Sequence, residues 1–252
     1  MINDLSEWEE MEQLFFELAS ENRLIILRLL QDESLRMQEV AQRLDVTATE
    51  AFRQLQRLSD VSLVERQSDG SYMITLYGRL ALHLSASYEF ISRHKAYFLN
   101  HDVRGLPTQF IDRIGELSGA TLIMDSAESI NSSVRIFLEA DQYAYGVSER
   151  GSGPNHVDPL IENQIQKGVH FKLIVPEEQL SSALSQTDDK NIEVRGFTEP
   201  PVVIAMSEKE AAVCFRFTGG RIDYAGFFGK NQLFLNWTRD LFLYYWVKAK
   251  RL

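Results

Sequence analysis

Residues 36–74, RMQEVAQRLDVTATEAFRQLQRLSDVSLVERQSDGSYMI, decide how this chain is read. Met37, Val40, Ala41 and Leu44 recur at i, i+3, i+4 and i+7, the spacing that puts four side chains on one face of a two-turn helix. Asp45-Val46-Thr47 interrupts that pattern, and Thr47 with Glu50 three residues later has the form of a capping box opening a second helix. At about 100° per residue, Ala48, Ala51, Phe52, Leu55 and Leu58 fall on one side of this helix. Glu50, Arg53 and Arg57 point the other way, flanked by Thr49, Gln54 and Gln56. Guanidinium, amide and hydroxyl groups are those that pair with phosphates and base edges in a major groove. After Leu63-Val64, two short strands lie either side of Asp69-Gly70, a dipeptide that favours a tight hairpin turn. Helix, turn, helix and hairpin in this order predict a winged helix-turn-helix. Its second helix would enter double-stranded DNA with Thr47, Thr49, Glu50, Arg53, Gln54 and Arg57, and its wing would bring Arg66, Gln67 and Ser68 to phosphates or the minor groove. Taken singly, each piece also fits a small domain with a solvated Arg/Gln face; the order favours DNA.

Residues 10–80 resemble the ArsR-type winged helix of archaeal and bacterial regulators. The resemblance is carried by Ala19-Ser20-Glu21-Asn22-Arg23 opening a helix and by Leu55-x-x-Leu58 ahead of Leu63-Val64-Glu65-Arg66. Where that family usually has glycine after the recognition helix, this chain has Ser62, which tolerates a left-handed backbone less well. Further on, the segment HDVRGLP at 101–107 and Arg113-Ile114-Gly115-Glu116-Leu117 resemble the archaeal family typified by the methanogenesis and filament-formation regulator of methanogens. The similarity continues through 126–142, 160–175 and the aromatic final helix. It implies a transcriptional regulator with a C-terminal domain that senses a signal.

At 252 residues, 44% hydrophobic and 25% charged, the chain is long enough for two soluble domains. It has no run of about 18 apolar residues and no basic-then-apolar leader, so a cytoplasmic protein without a membrane partner is expected. One cysteine, Cys214, rules out an internal disulfide and a thiolate cluster, and with it the paired-cysteine metal sensor of some ArsR relatives. A net charge of −10 opposes nucleic-acid binding. The charge is unevenly spread. Residues 1–34 carry nine acids against Arg23 and Arg28, whereas over 36–79 six arginines meet six acids. Modest affinity with strong salt dependence is therefore expected.

Three regions follow: 1–75, the winged-helix domain; 76–118, a long helix and linker for dimerisation; and 119–252, an α/β domain. The opening 1–19 is helical by pattern, with Met11, Leu14, Phe15 and Leu18 on one stripe and an acidic, solvated outer face. Ser20 would cap a helix from Glu21 to Leu30. Thr75 would cap a long helix over 76–98, with Leu80, Leu84, Tyr88, Ile91 and Phe98 along one side at near-heptad spacing, suited to pairing with a second copy or to packing on the C-terminal domain. Residues 101–107 read as a breaker-rich linker. Beyond 119, helices at 126–139 and 155–167, a helix opening at Pro176, and strands at 142–147, 169–175, 192–197, 201–206 and 211–217 alternate before a final aromatic helix. This predicts a mainly parallel or mixed sheet covered by helices.

Candidate chemistry beyond DNA is sparse. His170-x-Lys172 with Glu177 mimics the His-x-Lys-(x4)-Asp pattern of phospholipase-D-like enzymes, but there is no second copy, and the residues lie on the open side of a half-buried strand. His156-x-Asp158 and His101-Asp102 offer two metal ligands each without a third, which suits capping and hydrogen bonding. Gly151-Ser152-Gly153-Pro154 could present backbone N–H groups to an anion but matches no nucleotide loop. No catalytic residue, cofactor or metal is expected. A small-molecule effector is placed at Tyr145, Ser148 and Asn155, beyond the strand ends where open α/β sheets bind ligands. The aromatic C-terminal end reads as core, with a dimer interface or apolar pocket as the alternative. The competing function is a protein–protein adaptor whose winged helix binds no DNA.

Overall fold

A computed structural model describes residues 5–148, 159–184 and 190–251. Its contacts divide the chain into two compact units, Met1–Tyr88 and Glu89–Leu252. The chain is of mixed α/β class, with a helical N-terminal unit and a C-terminal unit built on a sheet.

The N-terminal unit is a winged helix. It contains α1 (Leu5–Leu18), α2 (Glu21–Asp32), α3 (Met37–Leu44), α4 (Ala48–Asp60), β1 (Val64–Arg66) and β2 (Tyr72–Ile74), followed by α5 (Leu76–Arg93). Ile26, Leu27 and Leu30 of α2 meet Val40 and Ala41 of α3 and Ala51, Leu55 and Leu58 of α4 in one buried cluster. Burying three helical faces together is what makes such short helices stable. Asp45 ends α3 in the left-handed region (φ 55°), and the turn closes with Val46 N donating to Ala41 O at 3.1 Å. Thr47 caps α4, its Oγ1 accepting from Glu50 N at 3.2 Å, and Thr75 caps α5 by accepting from Gly78 N at 2.9 Å. Ser20 stands at the start of α2 but makes no capping hydrogen bond with its side chain.

In the wing, Val64 pairs with Ile74 and Arg66 with Tyr72. Its turn is not the two-residue Asp-Gly form. Gly70 N donates to Gln67 O at 3.0 Å with Gly70 at φ 86°, so Ser68 and Asp69 are the central residues and the glycine supplies the left-handed closing position. Ser62, between α4 and β1, is also left-handed (φ 61°), the conformation its sequence position led us to expect of a glycine.

The C-terminal unit holds α6 (Lys95–Phe98), β3 (His101–Asp102), α7 (Thr108–Ile111), β4 (Thr121–Ile123), α8 (Ser126–Leu138), β5 (Tyr143–Val147), α9 (Pro159–Gln166), β6 (His170–Pro176), α10 (Leu180–Leu184), β7 (Ile192–Phe197), β8 (Val202–Ser207), β9 (Ala211–Phe217), β10 (Ile222–Gly229) and α11 (Gln232–Lys248). The sheet runs β4-β10-β9-β8-β5-β6-β7, with β3 added beside β9. It is mixed, but only β5, β6 and β7 are parallel to one another. The other pairs are antiparallel. Phe234, Trp237, Leu241 and Phe242 of α11 join Phe215 and Phe227 in the main core, so much of the aromatic end is interior.

Three expectations change here. The helix over 76–98 breaks after Arg93, where His94 leaves helical geometry (φ −106°, ψ 27°) before α6. Residues 101–118 are no free linker: Leu106, Phe110, Ile114 and Leu117 are buried in the C-terminal core. His101 stacks on Tyr97 at 3.6 Å, and its ring nitrogens face Tyr97 O (2.7 Å) and Asp223 Oδ2 (3.1 Å), so neither is open to a metal. Asp102 binds the Arg104 guanidinium at 2.7 Å, which holds its carboxyl down at about 2. The third change is β10, a strand that glycines at 226 and 229 conceal. A Cβ at Gly226 would lie 2.5 Å from Cys214 Sγ and from Val213 O, so the close strand contact requires glycine.

A left-handed non-glycine residue carries strain of about 1–2 kcal/mol, partly offset by the freedom glycine gains on unfolding. Ser62→Gly should stabilise the winged helix by about 0.5–1 kcal/mol, read as a higher urea midpoint at unchanged slope; an equal or lower midpoint would contradict the strain.

Candidate nucleic-acid interface

On α4 the buried residues are Ala51, Gln54, Leu55 and Leu58. They keep the i, i+3, i+4, i+7 pattern but rotate it relative to the face expected from apolar residues alone. Ala48 and Phe52, expected inside, are exposed, and Gln54, expected outside, is 7% exposed. The reason lies on α2, where Arg23 occupies the core face with Ile26, Leu27 and Leu30.

A buried guanidinium must find acceptors for its five N–H groups. Arg23 Nη1 donates to Gln54 Oε1 at 3.0 Å, Nη2 to Phe16 O at 2.8 Å and Nε to Glu17 O at 2.9 Å, with the Glu17 carboxylate 2.7 Å away. Burial lowers the Arg23 pKa from its ordinary value, opposed by the Glu17 charge and assisted by that of Arg57. Gln54 in turn donates through Nε2 to Glu50 Oε1. Gln54 is therefore a core partner of Arg23 and not a base reader.

Arg57 is similarly engaged. Its Nη2 and Nε donate to Glu17 at 2.7 and 3.2 Å, and its guanidinium lies 4.9 Å from the centre of the Phe16 ring. The hydrogen bond to Glu17 raises its pKa, with burial opposing. The side chain is still 40% exposed, but its charge is committed to α1. The expectation of a freely outward Arg57 is thus corrected, as is that of a wholly solvated acidic face on α1, since Glu17 is buried.

What α4 presents outward is Ala48, Thr49, Phe52, Arg53, Gln56 and, at its end, Asp60. The Arg53 side chain is 73% exposed, with Glu50 at 3.4 Å. Gln56 bonds to Asp60 at 2.7 Å along the helix. Thr47 is exposed and its oxygen is taken by the cap, whereas Glu50 is half-buried between Gln54 and Arg53. On the wing, Arg66 is exposed near the Tyr72 ring (6.0 Å), Ser68 is exposed, and half-buried Gln67 donates to Glu65 at 3.1 Å. Arg53, Thr49, Arg66 and Ser68 remain the available members of the expected set. The missed signal was Arg23 itself: a charged residue in register with an apolar helix face requires a buried acceptor nearby.

Of the expected effector residues, Tyr145 stacks on Phe242 at 4.8 Å, and Ser148 N donates to Ile174 O at 3.0 Å. Asn155 lies outside the described residues, as do Gly151–Pro154, His156 and Asp158. Tyr145 lines a cleft of 410 Å³ with Tyr143, His170, Lys172 and Glu193. Register places Tyr145 beside Lys172 and Lys172 beside Glu193 across the three parallel strands. Because Tyr143 and His170 begin their strands, this cleft opens near the amino ends rather than the carboxyl ends. Lys172 Nζ lies 5.4 Å from the Trp246 ring and 3.4 Å from Glu193 Oε1.

Removing Arg23 would leave the Glu17 carboxylate and Gln54 amide short of a buried partner. Arg23→Ala should lower stability by about 3–5 kcal/mol. Urea unfolding that shows less than about 1 kcal/mol would contradict the network.

Residues 11–94, about a third of the chain, match the family model described as the HVO_A0261 N-terminal domain. No curated protein matches the chain. Among solved structures, the archaeal chromatin protein TrmBL2, whose structure shows a novel mode of DNA binding, is 14% identical over 99% of this chain and 100% of its own, with a TM-score of 0.44. The S-adenosylmethionine-dependent methyltransferase SibL is 13% identical over 78% of this chain and 66% of its own, at a TM-score of 0.32. The N,N-8-amino-8-demethyl-D-riboflavin dimethyltransferase RosA from Streptomyces davawensis is 15% identical over 77% of this chain and 65% of its own, at a TM-score of 0.31. These likenesses are too loose to carry a function to this chain.

Proposed function

We propose that this chain is a DNA-binding transcription regulator that acts as a homodimer and carries out no catalysis. The observation that carries the reading is the winged helix itself. Its capped second helix presents Thr49, Arg53 and Gln56 outward beside a wing bearing Arg66, a shape and group set suited to a major groove. The ArsR-type resemblance and the match to residues 11–94 support the same reading. So does the local charge, neutral over 36–79 although the whole chain is at −10.

A second copy would cover an apolar band. On α1, Trp8, Met11 and Phe15 repeat at i, i+3 and i+7 and are exposed; on α5, Tyr77, Leu80, Leu84 and Tyr88 do the same. Phe15 meets Tyr88 edge-on at 5.8 Å, which joins the two rows. A contiguous apolar surface of this kind marks an interaction site, and a two-fold pair through it would present two reading helices to successive turns of one DNA face. The C-terminal unit would sense a small molecule, with the Tyr145–Lys172 cleft as its candidate pocket. Among the described residues, no helix is long and apolar enough to cross a membrane.

Binding to duplex DNA should weaken between 50 and 200 mM salt, with the shallow slope that few free cations allow, and Arg53→Ala should cost about tenfold or more at unchanged melting temperature. Salt-independent binding, or equal affinity for Arg53→Ala, would favour the adaptor reading instead. Leu80→Glu with Leu84→Glu should convert a sedimenting dimer to monomer and lower DNA affinity by on the order of a hundredfold; a wild-type monomer at micromolar concentration would contradict the pairing.

A further inference from the structure

We infer that Phe52, with Ala48 and the Thr49 methyl group beside it, forms an apolar reading surface for the C5-methyl group of thymine. The inference rests on the DNA-binding reading above and deepens it by naming a base.

Outward side chains on α4 fall in two rows at four-residue steps, Ala48, Phe52, Gln56 and the terminal Asp60 in one and Thr49 and Arg53 in the other. Phe52 keeps 48% of its surface in water, whereas Ala51, Leu55 and Leu58 on the opposite side are fully buried. The inward rotation of Gln54 toward Arg23 turns Phe52 out, so its exposure is set by the core and not by a loose surface helix. Its α4 neighbours are a methyl, a hydroxyl, an amide and a guanidinium. This differs from the apolar band on α1 and α5, where large rings and leucines adjoin one another and suit a protein surface.

One apolar ring among hydrogen-bonding groups matches a T·A pair in the major groove. Thymine presents a methyl beside the O4 acceptor, and its partner adenine presents N7 and N6. Alanine, the threonine methyl and phenylalanine are the side chains that contact a thymine methyl. Gln56, one turn beyond Phe52, carries the amide that pairs with adenine once it leaves Asp60. Arg53, exposed on the adjacent row, supplies the positive charge that a phosphate-lined groove requires.

The test uses the full chain. Binding sites are selected from a random duplex pool, and each thymine of the selected site is replaced in turn by deoxyuridine, which removes only the methyl group. At one or more thymines the replacement should weaken the wild-type chain about three- to tenfold. Phe52→Ala should bind the two duplexes equally, and Phe52→Leu should retain part of the difference. Thymine and deoxyuridine binding within twofold at every position, or an undiminished difference in Phe52→Ala, overturns the inference. If Phe52→Ala does not fold, the wild-type ratio and Phe52→Leu decide it. No retention of any duplex from the pool overturns the DNA-binding reading itself, whereas retention without enrichment of any sequence overturns the base-reading inference alone.

Discussion

The Glu17 carboxylate, buried among the guanidinium groups of Arg23 and Arg57, is the contact on which the N-terminal unit depends. It lies on α1 and is the shared acceptor of Arg23 on α2 and Arg57 on α4, so it sets the relative rotation of these three helices. Charges placed in a low-dielectric interior tolerate little displacement, because each loses its partner before it regains water. Gln54 is drawn inward by the same network, and Phe52 and Arg53 are left outward as a result. The chemistry of the outer face thus follows from a polar contact in the interior.

The C-terminal unit is held differently. Its sheet closes against an aromatic helix, and the conspicuous segment at 101–107 becomes a clasp on that core. His101 lies between Tyr97 and Phe217, Asp102 holds Arg104, and Gly105 O accepts from the Tyr245 hydroxyl at 3.1 Å. A Cβ on Gly105 would come within 2.6 Å of Pro201 Cβ, so the residue must be glycine for the segment to lie flat. A motif that reads as a linker by its breakers is a packing device.

The electrostatic objection to DNA changes meaning in the same way. One of the acids on the leading helix, Glu17, is consumed internally and takes Arg57 with it, while Arg53 and Arg66 stay outward. In the proposed DNA-binding role, so few free cations would place more of the burden on hydrogen bonds and apolar base contacts than on phosphate attraction.

Local pattern was enough to determine the winged helix. Apolar spacing fixed α3, Thr47 and Thr75 fixed two helix starts, and the Asp69-Gly70 signal marked the place of the hairpin though not its turn form, because each of these depends on residues within a turn or two of chain. The alternation after residue 119 likewise announced an α/β unit. Tertiary structure decided what spacing cannot: which of two neighbouring faces of α4 is inward, that β10 passes through its glycines, that most of the sheet is antiparallel, and that 101–118 belongs to a core. Each of these turns on a partner distant in sequence, Arg23 for Gln54, Cys214 for Gly226 and Tyr245 for Gly105, and such pairings leave no local periodicity to read.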